Sequence, residues 1–131
     1  IEIKSTHLLN TGIEQDIINI INKYQIEKNC ILSSFNPIVI RRIRKLDPNI
    51  LTAFLWSKKE PQFIFNSPIW VWWCRPDGFH VDIEFLEPKL MKWIRRRKMS
   101  VLVFTVINQK QLIKAKYLKV DGIIMDDPYL N

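Results

Sequence analysis

The chain opens I-E-I-K and closes V-D-G-I-I-M-D-D-P-Y-L-N, and the charged residues of these two stretches are spaced so that they could do chemistry. Residues two apart on a strand share a face, so an extended 1–4 segment turns Glu2 and Lys4 the same way. A carboxylate is an oxygen ligand for Mg²⁺ or Ca²⁺, and a lysine is a point charge suited to phosphate. Taken on the residues alone, a plain ion pair near the chain end is the simpler account of the same two residues. At the other end, Asp121-Gly122 precedes the apolar run and Asp126-Asp127-Pro128 follows it. Asp126 and Asp127 either orient a site at a strand end or form an Asx-type turn or helix cap before the proline. Other reactive residues are sparse. His7 and His80 stand far apart, and Cys30 and Cys74 have neither metal-ligand spacing nor the number for a disulfide framework. Both cysteines are expected as buried thiols.

The elements that must position these residues are those of one domain with a proper core: 131 residues, 47% of them apolar. The uncharged stretch 62–74 is shorter than the ~20 residues of a membrane span and contains Pro68. The β-branched start lacks the basic-then-apolar pattern of a signal peptide. The net charge of +7 is carried by Arg41, Arg42, Arg44 and Lys45, by Arg95 to Lys98, and by Lys110, Lys114, Lys116 and Lys119. These fall on helical stretches and read as solvated outer faces, with no aromatics alternating as a base-stacking surface would require. No nucleic-acid partner is expected.

Periodicity alternates between strand and helix. Strands are expected at 1–4, 30–35, 50–56, 79–85, 99–106 and 120–126. A capping box, Thr11 to Glu14, opens a first helix with Ile13, Ile17, Ile20, Ile21 and Tyr24 on one face. Asn36-Pro37 opens a second, carrying Ile40, Ile43 and Leu46, and Glu87-Pro88 a third, burying Leu90, Met91 and Ile94. A further helix covers 109–118, and 57–78 is an irregular connection with a short helix around Ile69 to Trp73. Three indoles in I-W-V-W-W-C cannot all face one way, so at least one of Trp70, Trp72 and Trp73 should be exposed. An exposed indole there would line a substrate mouth or touch a membrane; the alternative is a loop core beneath the rim. Short connections and nearly continuous apolar strands argue for parallel βαβ units, closed as a (β/α)₈ barrel or left as an open doubly wound sheet. In both, polar residues at strand C-termini mark the functional rim.

Taken in order, I-E-I-K, L-S-S-F-N-P with I-R-R-I-R-K-L-D-P, F-T-V and V-D-G-I-I-M-D-D-P resemble the second part of a glycerophosphodiester phosphodiesterase. The resemblance implies an α/β (β/α)₈ TIM barrel of the phosphatidylinositol-phospholipase type, of which residues 1–131 are the C-terminal part, about the last six strands. It implies hydrolysis of glycerophosphodiesters to an alcohol and glycerol 3-phosphate with a divalent cation, Mg²⁺ or Ca²⁺, and so a place in lipid and glycerol metabolism. The family's Glu-x-Lys strand falls on Glu2 as metal ligand and Lys4 on the phosphate side. Its aromatic near the substrate's glycerol falls on Phe104, and a histidine near the phosphate end falls on His80. The sequence departs from the family at Phe104 (Trp in the family), Ile107 (Asn), Lys119 (Gly) and Met125 (Thr).

The family's His-Arg-Gly and Glu-x-Asp strands and His-Asp have no counterpart in these residues. The catalytic histidines are thus missing, and the segment alone is expected to be inactive. Either it belongs to a longer polypeptide, or it is a non-catalytic barrel remnant that binds phosphate-bearing ligands or a partner chain; the opening at Ile1 rather than Met leans towards the former. Unpaired outer strands would promote self-association of the isolated chain, and membrane association is a further expectation.

Overall fold

The computed structural model of the chain describes residues 1–5, 12–59, 67 and 69–129. His7 and Thr11 lie outside them. The elements alternate as α1 (Ile13–Tyr24), β1 (Ile31–Ser34), α2 (Pro37–Leu46), β2 (Leu51–Trp56), α3 (Trp70–Cys74), β3 (Gly78–Asp82), α4 (Pro88–Arg95), β4 (Ser100–Val106), α5 (Gln109–Tyr117) and β5 (Gly122–Met125). The strands pair in parallel in the order β1-β2-β3-β4-β5. Each strand lies beside its successor, so right-handed crossovers carry every helix to the same face. That is the winding of a barrel wall; in a doubly wound sheet the order reverses.

One-way winding gives the two faces different jobs. Side chains such as Phe54, Phe79, Val81, Val101 and Val103 turn to the helices and are buried with Ile40, Met91 and Ile94. A second cluster joins Ile3, Ile18, Ile21, Leu32, Val39, Ile43 and Ile50. The alternate residues, including Leu55, His80 and Leu102 in register across three strands, face away from the helices.

The sixth expected strand, residues 1–4, is reduced to one parallel bridge between Glu2 and Ser33. Ile3 N–H donates to the Ser33 carbonyl at 2.8 Å and Ser33 N–H to the Ile1 carbonyl at 2.9 Å. It lies where a strand would, but the ladder is too short to count as one. The first helix also differs from expectation. Gly12, at φ 83°, is its N-cap, with no side-chain cap. The expected Thr11–Glu14 capping box lies partly outside the described residues; the buried Glu14 carboxylate accepts from Arg42 at 3.3 Å. The buried face is Glu14, Ile18 and Ile21, while Ile13, Ile20 and Tyr24 are exposed, because burying the Glu14–Arg42 pair turns the helix. Leu46 is exposed and Cys30 only half-buried, whereas Cys74 is buried and its thiol is pushed up to about 12 by burial. Asn36 caps α2 as expected, accepting from Ile38 N–H at 2.9 Å.

Several basic residues do more than solvate helix faces. Asp77, just before β3, accepts from the Thr52 N–H (2.9 Å), the Thr52 hydroxyl (3.0 Å) and Arg44 (2.8 Å). Asp121, just before β5, accepts from Val101 N–H (2.7 Å) and from both Arg95 terminal nitrogens (2.6 and 2.9 Å). Arg95, with this backbone amide, holds the Asp121 carboxyl below its usual range. Each aspartate ties the start of its strand to the preceding strand and to the helix that feeds it. Glycine follows in both cases for lack of room: a Cβ on Gly78 would stand 2.6 Å from Ser100 Oγ, and one on Gly122 2.9 Å from Leu102 Cγ. The Asp-Gly pair is therefore a repeated device at the N-terminal end of the sheet.

Four non-glycine residues after or near helix ends, Gln25, Arg75, Lys98 and Lys119, adopt left-handed backbone at φ 50–58°. Lys119 occupies the position where the resembling family has glycine, and its φ of 54° shows what glycine would relieve. Lys119→Gly is expected to stabilise the protein by about 0.5–1 kcal/mol in urea unfolding. Asp121→Ala should cost about 1–3 kcal/mol, because it strands the Val101 amide and frees Arg95; Asp126→Ala should be within about 0.5 kcal/mol of wild type.

Candidate active site

The face turned away from the helices holds a cleft of about 440 Å³, whose lining includes Glu2, Ser33, Phe35, His80, Phe104 and Thr105. Ile3 is buried in the helix-side core, which by strand alternation turns Glu2 and Lys4 to the cleft side. The L-S-S-F-N run fixes this segment. Ser34 Oγ donates to the Ile3 carbonyl at 2.8 Å, and Asn36 Nδ2 to the Ser5 carbonyl at 3.2 Å. One short sequence thus caps α2 and tethers the strand that carries Glu2 and Lys4.

His80 is the most unusual group in the cleft. It is 4% exposed, stands between Leu55 and Leu102, and neither ring nitrogen has a hydrogen-bond partner among the described residues. Burial lowers its pKa from 6.5 to about 4. The imidazole is therefore neutral at physiological pH, able to offer one donor and one acceptor to a molecule in the cleft. Phe104 meets Phe35 edge-to-face at 6.0 Å and 88°, forming an apolar wall.

Glu2, His80 and Phe104 thus line one space, and Lys4 shares the side of Glu2 without lining the cleft. Asp126 and Asp127 stand apart and exposed. Asp127 Oδ1 accepts from Tyr129 N–H at 2.9 Å, the Asx turn that was the alternative to a direct role. Sequence reasoning overlooked a second rim network. Asp82, almost buried, accepts from Ser57 Oγ at 2.9 Å and from Glu84 N–H at 3.0 Å. Lys59 reaches Glu84 at 2.7 Å and Asp82 at 3.9 Å, and Glu84 raises its pKa. The signal was legible: D-G-F-H-V-D (77–82) matches D-G-I-I-M-D (121–126) at both aspartates and the glycine.

A hard divalent cation takes six or more oxygen ligands, which for Mg²⁺ include waters and substrate phosphate beside one or two carboxylates and for Ca²⁺ more protein oxygens. Among the described residues no three His, Cys, Asp or Glu side chains come together for a metal, so Glu2 by itself does not make a site.

The glycerophosphoryl diester phosphodiesterase family model matches residues 2–130. The chain belongs to this family. A glycerophosphodiester phosphodiesterase of Caldanaerobacter subterraneus subsp. tengcongensis is 29% identical over 130 residues, covering 98% of this chain and 51% of the relative. Among solved structures, a glycerophosphodiester phosphodiesterase from Parabacteroides distasonis superposes with a TM-score of 0.73 at 19% identity, covering 95% of this chain and 50% of its own. An Oleispira antarctica phosphodiesterase in complex with the product sn-glycerol-3-phosphate gives 0.67 at 19% identity, covering 97% and 50%. The chain therefore spans about half the length of the family members it matches, and its parallel sheet is the corresponding part of their fold.

The lowered pKa of His80 sets an acid limit on stability. The unfolded chain binds this proton below about pH 6.5 and the folded chain only below about pH 4. Stability contributed by keeping His80 neutral is therefore complete above pH 6.5 and falls as pH drops towards 4. Urea unfolding should show that fall, and His80→Gln should remove most of it. The loss due to Asp121 lies lower, below its ordinary value of 3.8, so the two are separable.

Proposed function

We propose that this chain forms part of a phosphodiesterase barrel that hydrolyses glycerophosphodiesters to an alcohol and glycerol 3-phosphate, contributing strands β1 to β5 and the bridged segment 1–4 to its wall. The family match over residues 2–130 supports the reaction class. The observation that carries the site is the alternation at residues 2–4, with Ile3 in the core and Glu2 and Lys4 turned to the cleft.

Glu2 supplies one carboxylate to a Mg²⁺ or Ca²⁺ site whose other ligands lie beyond the described residues. Lys4 balances the negative charge of the phosphodiester, and Phe104 closes the apolar side of the glycerol. Phenylalanine at this position keeps the wall without an indole N–H, which favours a substrate held there by shape rather than by a hydrogen bond. His80 is a neutral hydrogen-bond partner for phosphate or glycerol oxygens. A group with a pKa of about 4 is a weak base and holds no proton to give at pH 7, so the general acid and base are other residues. The exposed edge of β5 is where further strands would join; in the isolated chain the same edge promotes self-association.

The test is glycerol 3-phosphate release from a glycerophosphodiester by the protein with its barrel complete. EDTA should abolish it. Glu2→Ala should lower kcat/KM by at least about a hundredfold, and Asp127→Ala by less than about threefold. Full activity in Glu2→Ala would remove Glu2 from the metal site, and no release by wild type would leave the non-catalytic phosphate-binding reading. The 131-residue chain alone should be inactive and, by calorimetry, bind Mg²⁺ no tighter than about 10⁻⁴ M.

A further inference from the structure

On the helix-covered side, away from the cleft, a depression of about 440 Å³ lies between α3 and α4, lined by residues including Lys58, Trp72, Phe85, Lys89 and Trp93, with Glu87 the one carboxylate among its lining residues. Its apolar rim is exposed, Ile69 to 66% and Trp72 to 64%, and the neighbouring Trp73 is 42% exposed. Short α3 cannot bury three indoles within four positions on one side, so Val71 and Cys74 take the core and Trp72 and Trp73 are left outside. Cations surround the same patch. The Arg97 guanidinium lies 4.6 Å from the Trp72 ring and 3.8 Å from that of Trp93, and Arg41 lies 4.8 Å from Trp73. Lys58 stands 5.5 Å from the Phe85 ring.

We propose that this face docks on a bilayer surface containing anionic phospholipid. Indoles favour the headgroup region, where an apolar body and a polar edge are both satisfied, and guanidinium groups pair there with lipid phosphate. The depression between α3 and α4 is lined by aromatic rings with lysines at its margin, which suits part of an acyl chain below an anionic headgroup. Charge complementarity selects this occupant. A second copy would bring the same cations face to face across a two-fold axis. A nucleic acid would need the indole faces for base stacking, but the arginines already cover them, and exposed Ile69 offers a base nothing. No helix among the described residues is long and apolar enough to cross a membrane, so binding is to the surface. The patch lies over β2 and β3, in the middle of the sheet order, so strands added at the sheet edges would not cover it.

Co-sedimentation with vesicles tests the proposal. The protein should bind vesicles of phosphatidylglycerol and phosphatidylcholine and not those of phosphatidylcholine alone. Brominated lipid should quench its tryptophan fluorescence. Ile69→Ser with Trp72→Ala should weaken partitioning by about tenfold or more while circular dichroism stays unchanged. Arg97→Glu should do the same, and Tyr117→Ala, on exposed α5, should not. Absence of binding, or binding that survives the Ile69/Trp72 pair and vanishes with salt alone, overturns the proposal. So does Trp72-dependent dimerisation without lipid, or an oligonucleotide bound through the same residues.

Discussion

Everything in this molecule depends on the one-way winding of its parallel sheet. Because each crossover places the next strand beside the last, all helices gather on one face, and the period of two along each strand becomes a sorting rule. One residue enters the helix-packed core and its neighbour enters the cleft. Phe79 and Val81 obey the first half of the rule and His80 the second. Ile3 and Glu2 repeat it at the sheet's margin. A slip of one residue in any register would exchange the two sets, burying carboxylates under the helices and exposing isoleucines to the cleft.

Register therefore needs fixing, and the N-terminal end of the sheet does it with aspartate. Asp77 and Asp121 each bind a backbone N–H of the preceding strand and the arginine of the helix that leads into that strand. A carboxylate suits this role because it accepts from several donors at once, and charge-assisted bonds are the stronger kind. Stability and function are segregated along the strands. The aspartates at the starts lock pairing, while Asp82 and Ser57 at the opposite end build a polar network on the rim. Two aspartates six positions into matching motifs, Asp82 and Asp126, illustrate how context divides like residues: the former is nearly buried and bonded, the latter exposed.

The cleft shows a similar division between charge and its absence. Glu2 and Lys4 lie where solvent can reach them, whereas His80 sits between leucines with no partner among the described residues and stays neutral. A neutral imidazole in an apolar wall discriminates by hydrogen-bond geometry rather than by charge, so the phosphate's charge must be met at the rim. The helix side inverts this pattern, with its cations resting on indole faces that a core would otherwise have hidden.

The sequence by itself determined the alternation of strands and helices, the Asn36-Pro37 start of α2, the shared side of Glu2 and Lys4 and the family resemblance, since all are local periods or contiguous motifs. It misjudged what depends on distant partners. The buried face of α1 was rotated by the Glu14–Arg42 pair, whose members are separated by most of two elements. The 1–4 strand shrank to a bridge, and the outer basic residues proved to be bound to Asp77, Asp121 and the indoles. Periodicity left a barrel wall and a doubly wound sheet both open; the resemblance implied the barrel, and tertiary structure shows its strand order, a property of which elements meet across space. It alone also set the neutrality of His80, since burial and the lack of a partner are made by Leu55 and Leu102, residues that lie on two other strands.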